Sequence, residues 1–187
     1  MYVDIYDDAM WLINLVENLL SVSRLEGGQM NLHLSTELIG EVVAEALRHI
    51  NRRSAEHHLH IQSGDEYLLA QMDAHLIVQV IINIVNNAVK YTPPGTDITL
   101  SARREGDTVR VEIADTGPGI PQEAQGRLFQ MFYTAGNDRG DGRRGLGLGL
   151  ALCKSIVEAH GGKIGMRANE PHGSVFFFTL QAEEIKL

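Results

Sequence analysis

The chain has 187 residues, 44% of them apolar and 21% charged, which is ordinary globular usage and excludes disordered, collagen-like and low-complexity classes. A single cysteine, Cys153, excludes an internal disulfide framework, and no apolar run reaches the ~18 residues of a spanning helix. The net charge of −8 disfavours a nucleic-acid binder. Any anionic ligand must then be held locally, by helix N-termini, a few placed cations or Mg²⁺.

Met1–Glu26 is expected to form one helix, because Ile5, Leu12, Leu15, Val16, Leu19 and Leu20 recur at helical spacing. Gly27-Gly28 ends it and is the one linker candidate. A helix this apolar needs a partner, either the following domain or a helix from elsewhere. Met30–Leu34 alternates like a short strand. Glu37–Ile50 reads as a helix with Leu38, Val42, Val43, Ala46, Leu47 and Ile50 on one face. His58–Gln62 and Glu66–Met72 read as short strands around a Ser63-Gly64-Asp65 turn.

Asp73–Tyr91 is strongly periodic and places Ile77, Val80, Ile81, Ile84, Val85 and Ala88 on a buried side. Thr92-Pro93-Pro94-Gly95 stops it. Ile98–Arg104 and Thr108–Asp115 alternate around Glu105-Gly106-Asp107 as a hairpin. Gln122–Phe132 reads as a short helix and Thr134–Arg144 as a polar, mobile loop. Gly147–His160 reads as a helix, and Lys163–Arg167 with Ser174–Gln181 as a second hairpin. No internal repeat is present. Helices interleaved with hairpins predict an α+β fold: a two-layer α/β sandwich with helices on one face of a mixed sheet.

Three constellations carry chemistry. Asn83, Asn87 and Lys90 lie at i, i+4 and i+7 of one helix and share a face. Asparagine is a poor helix former; an amide oxygen suits Mg²⁺ and a lysine suits phosphate oxygens. A solvated helix face is the alternative. Asp115-Thr116-Gly117-Pro118-Gly119-Ile120 follows a strand, so a carboxylate at a strand end stands beside two glycines. It could read an exocyclic amine, or be an ordinary turn. Gly145-Leu146-Gly147-Leu148-Gly149-Leu150 opens an apolar helix whose unpaired N–H groups form an anion cradle, or which packs closely on the sheet. It lacks the Lys-Ser or Lys-Thr of a P-loop. Gly140-Asp141-Gly142-Arg143-Arg144-Gly145 fits a dinucleotide fingerprint but follows no strand and opens no βαβ unit, so that reading is set aside.

In this order the segments resemble the catalytic ATP-binding domain of bacterial sensor histidine kinases, in the GHKL ATPase superfamily. Asn83–Tyr91 resembles the N box, Asp115–Ile120 the D box, Arg127–Tyr133 the F box and Gly145–Leu150 the second glycine box. Ser174 resembles the small hydroxyl residue of the last hairpin, and Gly142 through Gly162 resembles potassium-responsive sensor kinases.

The resemblance implies roles. Asn87 would be the Mg²⁺ ligand and Asn83 its catalytic polar neighbour. Lys90 and Arg127 would face the phosphates and Tyr91 the nucleotide. Asp115 would accept the adenine amine, with Gly117, Gly119 and Ile120 lining the base pocket. Gly145, Leu146, Gly147, Leu148 and Gly149 would meet the phosphate tail, with Ser174 beside the site. Thr134–Arg144 would be the ATP lid, anchored by Phe129 and Phe132 unless those are plain core residues.

ATP-hydrolysing relatives such as gyrases carry a glutamate where this chain has Asn83. A neutral amide cannot activate water as a general base, so the resemblance favours transfer to a protein histidine. It also implies that residues 1–26 are the second helix of a dimerisation hairpin and 29–187 the catalytic domain. The partners implied are ATP, a phosphoacceptor hairpin, a response regulator and a homodimer mate, with no nucleic acid. The resemblance places the full protein in the bacterial inner membrane, and the 187 residues themselves read as soluble and cytoplasmic.

Two departures stand out. Thr134 replaces an arginine common after the F-box tyrosine, leaving Arg139, Arg143 or Arg144 to supply a phosphate contact. None of the eight histidines has the context of the family's phosphoacceptor motif. The alternatives are an anti-sigma-type serine/threonine kinase of the same fold and a non-catalytic nucleotide-sensing or dimerisation module. His57, His58 and His60 read as solvated rather than metal-binding, Cys153 as a core residue, and Glu183 and Glu184 as a solvated tail.

Overall fold

The computed structural model describes residues 31–50, 55–62, 67–134 and 147–184, together with Val16. The expectations for the Met1–Glu26 helix, for the Ser63-Gly64-Asp65 turn, for most of the loop after Thr134, and for Gly145 and Leu146 lie outside these residues. In chain order the elements are β1 (Ser35–Leu38), α1 (Ile39–Arg48), β2 (His58–Gln62), β3 (Leu69–Met72), α2 (Ala74–Tyr91), β4 (Asp97–Glu105), β5 (Thr108–Asp115), α3 (Gln122–Gln125), α4 (Gly149–Ala159), β6 (Ile164–Ala168) and β7 (Ser174–Glu183).

The strands form one seven-stranded mixed sheet in the order β1-β3-β7-β5-β4-β2, with β6 also on β7. β7 organises it. Residues 174–181 pair with β5 along one edge; the other edge takes β6 first and β3 at its last residues. Only β2 runs parallel to its neighbour, β4. Alternation along the strands sends Ile98, Leu100, Val109, Val111, Ile113, Phe176, Phe178 and Leu180 into the core. There they meet the apolar stripes of α1, α2 and α4, as helices on one face of a mixed sheet require. The opposite face carries Glu112, which Arg103, Arg110 and Arg167 surround as salt-bridge partners. Among the described residues no helix is long and apolar enough to cross a membrane.

α2 is the central helix. Asp73 caps it, its Oδ1 accepting from the Leu76 N–H at 3.4 Å, and the same residue's backbone N–H donates to His160 Nε2 at 3.0 Å. His160 sits at the end of α4 and also donates from Nδ1 to Ile156 O at 2.7 Å. One imidazole thereby ties the start of α2 to the end of α4. Cys153 is fully buried in α4, and burial pushes its thiol up to about 12, as a small core residue should behave.

Three expectations are corrected. The first strand is Ser35–Leu38 rather than Met30–Leu34, because pairing with β3 in the register Ser35 to Met72 decides which residues extend. α1 therefore starts at Ile39. β2 and β3 form as expected on either side of the turn signal, and each pairs with another strand. β3 buries Ala70 and Met72 inside the sheet, whereas the mostly exposed β2 takes the edge beside β4. Helix after Pro121 covers only Gln122–Gln125, and turns carry the chain from Gly126 to Tyr133. Glu183 belongs to β7 rather than to a tail, whereas Glu184, just past the strand, is exposed as expected and pairs with Arg104 at 3.1 Å.

Candidate functional site

The site is built where the ends of β5, α2 and β7 meet the start of α4. Asp115 closes β5 opposite Ser174 and is only 6% exposed. Its Oδ1 accepts from the backbone N–H groups of Gly117 at 2.9 Å and Ser174 at 3.3 Å. Burial raises its pKa above the ordinary aspartate value, and the two backbone donors pull the other way. Both donors land on Oδ1, and among the described residues none is given to Oδ2, which can accept a further donor.

The loop 169–173 holds the backbone that carries this carboxylate. Asn169 donates from Nδ2 to Asp115 O at 2.9 Å, and His172 Nδ1 lies 3.2 Å from Gly117 O. Ser174 therefore serves the site through its N–H, on the carboxylate that the resemblance assigns to base recognition. Ile120, in the loop that follows β5, is half-buried against the core.

Asn83, Asn87 and Lys90 lie on one face of α2 with graded exposure, the asparagines half-buried and the lysine open. Asn83 faces the start of α4, where its Oδ1 is 3.8 Å from the Cβ position of Gly149. Its Nδ2 is buried without a hydrogen-bond partner among the described residues. Lys90 Nζ stands 4.9 Å from the centre of the Tyr91 ring, which is itself exposed. α4 begins at Gly149 after Leu148, which offers no side-chain cap, so among the described residues no capping side chain takes its leading N–H groups, the end of a helix that favours an anion.

The segment 126–134 seats on that helix start. Phe132 N–H donates to Gly147 O at 3.1 Å, and a Cβ at Gly147 would come within 2.7 Å of the Phe132 and Tyr133 backbone. Arg127 stacks over the Tyr133 ring at 4.5 Å and so is carried to the same edge. Phe129 and Phe132 divide. Phe129 packs edge-to-face on Phe176 at 6.4 Å in the core, whereas Phe132 is 70% exposed with φ of 62°.

The fold thus gathers Asp115, Gly117, Gly119, Ile120 and Ser174 at one end, and Asn83, Gly147, Leu148 and Gly149 at the other. Asn87, Lys90 and Tyr91 lie on the helix between them, and Arg127 is on the adjoining segment. Gly117 has a packing role besides the expected one: a Cβ there would meet Thr92 Cγ2 at 2.4 Å, so its lack of a side chain lets the loop pack against the end of α2. His57 is a correction. It is 8% exposed rather than solvated, with Nε2 3.0 Å from Thr92 Oγ1. His58 and His60 are exposed and share Asp97 Oδ1 at 3.4 and 2.9 Å. No group of three or more His, Cys, Asp or Glu side chains arranged to hold a metal occurs among the described residues. Thr92, Asn169 and His172 also belong to the site, and the sequence alone does not mark them as such. A threonine between the helix end and a Pro-Pro pair was the only signal for any of them.

The family of histidine kinase-, DNA gyrase B- and HSP90-like ATPases matches residues 72–184, and the chain belongs to it. Within that family it is homologous to the catalytic domains of two-component sensor kinases. It is 40% identical over 179 residues to sensor protein KdpD of Clostridium acetobutylicum, covering 96% of this chain and 20% of that protein. The nucleotide-free catalytic domain of histidine kinase ThkA superposes with a TM-score of 0.69 at 28% identity, over 80% of this chain and 95% of that one. ThkA in complex with the response regulator protein TrrA superposes at 0.72 and 25% identity, over 100% of this chain and 52% of that one. The chain thus spans about a fifth of the KdpD relative.

Proposed function

We propose that this chain binds Mg-ATP and delivers its γ-phosphoryl group to a histidine on a dimerisation hairpin. The observation that carries the reading is the nearly buried Asp115 carboxylate, with Oδ1 fixed by two backbone donors and Oδ2 left for an adenine amine. Asp115 then orients the base, with Gly117, Gly119 and Ile120 around it. The uncapped N–H groups of α4 receive the phosphate tail, and Lys90 and Arg127 offset its charge.

Asn83 presents a neutral amide beside Gly149. It cannot take a proton from water, which favours transfer to a positioned acceptor over hydrolysis. The half-buried Asn87 amide oxygen fits Mg²⁺, which is commonly held by one or two protein oxygens plus phosphates; when bound it would neutralise phosphate charge.

The acceptor histidine belongs to a hairpin of which residues 1–26 are read as the second helix. Recognition of a response regulator and homodimerisation would follow from that hairpin, and the resemblance to sensor kinases supports residence of the full protein at the bacterial inner membrane. The structure of ThkA with TrrA supports a response regulator as partner. The anti-sigma-type alternative lacks a use for that opening helix.

Titration with ATP across a Mg²⁺ series tests the binding half. Saturable binding is expected, with Asn87→Ala raising the Mg²⁺ concentration needed by about tenfold. An identical Mg²⁺ dependence would remove Asn87 from the metal, and no ATP binding would remove the reading.

A further inference from the structure

We propose that His57 is a positioning residue for purine recognition, acting through Thr92 on the Gly117–Asp115 corner; this rests on the nucleotide reading above. His57 precedes the edge strand β2, in a polar run whose next histidines are exposed, yet it is buried. Its Nε2 lies 3.0 Å from Thr92 Oγ1 and 3.4 Å from Thr92 O. The Thr92 hydroxyl spends its one proton on Ala88 O, at 2.7 Å. Oγ1 therefore accepts from His57, and Nε2 carries the ring proton. Nδ1 is then an acceptor, buried and without a partner among the described residues.

An orphaned buried acceptor is unfavourable. A leucine or phenylalanine would fill the same space without one, so what the imidazole adds is its donor to Thr92.

The consequence of that donor lies on the other side of Thr92. With its hydroxyl fixed at both donor and acceptor, the threonine has one rotamer, and its Cγ2 methyl occupies the place where a Gly117 Cβ would stand, at 2.4 Å. Gly117 N–H is one of the two donors that aim Asp115. The segment around His57 is itself strapped to the loop after α2, by Gly95 N–H to Glu56 O at 2.7 Å and His58 N–H to Thr96 O at 3.0 Å. His57, Thr92, Gly117 and Asp115 thus form one contiguous chain from the sheet edge to the base-reading carboxylate. Neither His57 nor Thr92 needs to touch the ligand.

The test measures MgATP and MgGTP affinity, with thermal stability alongside, for the 187-residue chain and its His57→Leu, His57→Gln and Thr92→Val variants. His57→Leu is expected to weaken MgATP by about 3- to 10-fold and MgGTP less, narrowing the preference between them. Gln can place a donor near Nε2 and is expected to recover most of the loss. Thr92→Val keeps the methyl and removes the hydroxyl, so it should reproduce His57→Leu. An unchanged ATP-to-GTP ratio in His57→Leu and Thr92→Val, whatever their stability, overturns the proposal, as does a Gln variant no better than Leu. Should His57→Leu fail to fold, Thr92→Val against wild type decides by the same ratio. A wild-type chain without preference for MgATP overturns the nucleotide reading and this link with it. A preference that the variants leave intact overturns the link alone.

Discussion

Asp115→Asn is expected to lower ATP affinity by about tenfold or more while leaving the unliganded chain at least as stable as wild type. A hydrogen bond to a charged group contributes about 1.5–3 kcal/mol, and the variant removes one from the base while turning an acceptor into a donor that opposes the adenine amine. The stability side follows from the direction of the pKa shift. Burial raises the Asp115 value above that of an unfolded aspartate, so its contribution to stability is fully present below the ordinary aspartate range. It is lost as pH rises through the raised value, and at neutral pH the ionised group is carried at a cost. Asparagine carries no charge, and its amide oxygen still accepts from Gly117 and Ser174. Calorimetric titration beside thermal melts at neutral and acidic pH reads both effects. Affinity within twofold of wild type would remove Asp115 from base recognition.

Gly173→Ala is expected to destabilise the chain by about 3–5 kcal/mol and to abolish nucleotide binding with it. Gly173 has φ of 113°, where a side chain is strained, and a Cβ there would come 1.9 Å from Asp115 O and 2.8 Å from Asp115 C. Relief would require moving the end of β5 away from β7. That would withdraw the Ser174 N–H from the carboxylate and disturb the Asn169 bonds that close the loop. Gly126→Ala is the matched control: its φ is −67° and nothing lies within 4 Å of the added carbon. It should stay within about 1 kcal/mol of wild type in either direction. Urea unfolding of the pair separates a loss of glycine in general from a loss at this corner.

Much of this corner was legible in the sequence because its parts sit at element ends, where local signals are strong. The unbroken apolar period of α2 located the helix and put Asn83, Asn87 and Lys90 on one face. The alternating run into Asp115 located a carboxylate at a strand end, and the glycines before Leu150 located an uncapped helix start. What stayed hidden depends on contacts distant in sequence. His57 reads as solvated in the run His57-His58-Leu59-His60, yet it is buried and bonded to Thr92, 35 residues on. The pairing of β2 and β3 follows the same rule. A turn signal between two strands says nothing about which neighbour each will choose, and burial of Ala70 and Met72 sent β3 into the sheet. Phe129 and Phe132 look equivalent by spacing, yet the turns after Gly126 send one ring into the core and the other into solvent.

The central claim is phosphoryl transfer to histidine, and γ-labelled ATP tests it most directly. The chain is incubated with a separately supplied dimerisation hairpin bearing the histidine motif, and the products are divided by acid treatment. Label on the hairpin histidine, acid-labile and base-stable, is the predicted result, with none on the chain's own eight histidines. Acid-stable label on serine or threonine, or an unlabelled hairpin while ATP binding persists, would contradict it.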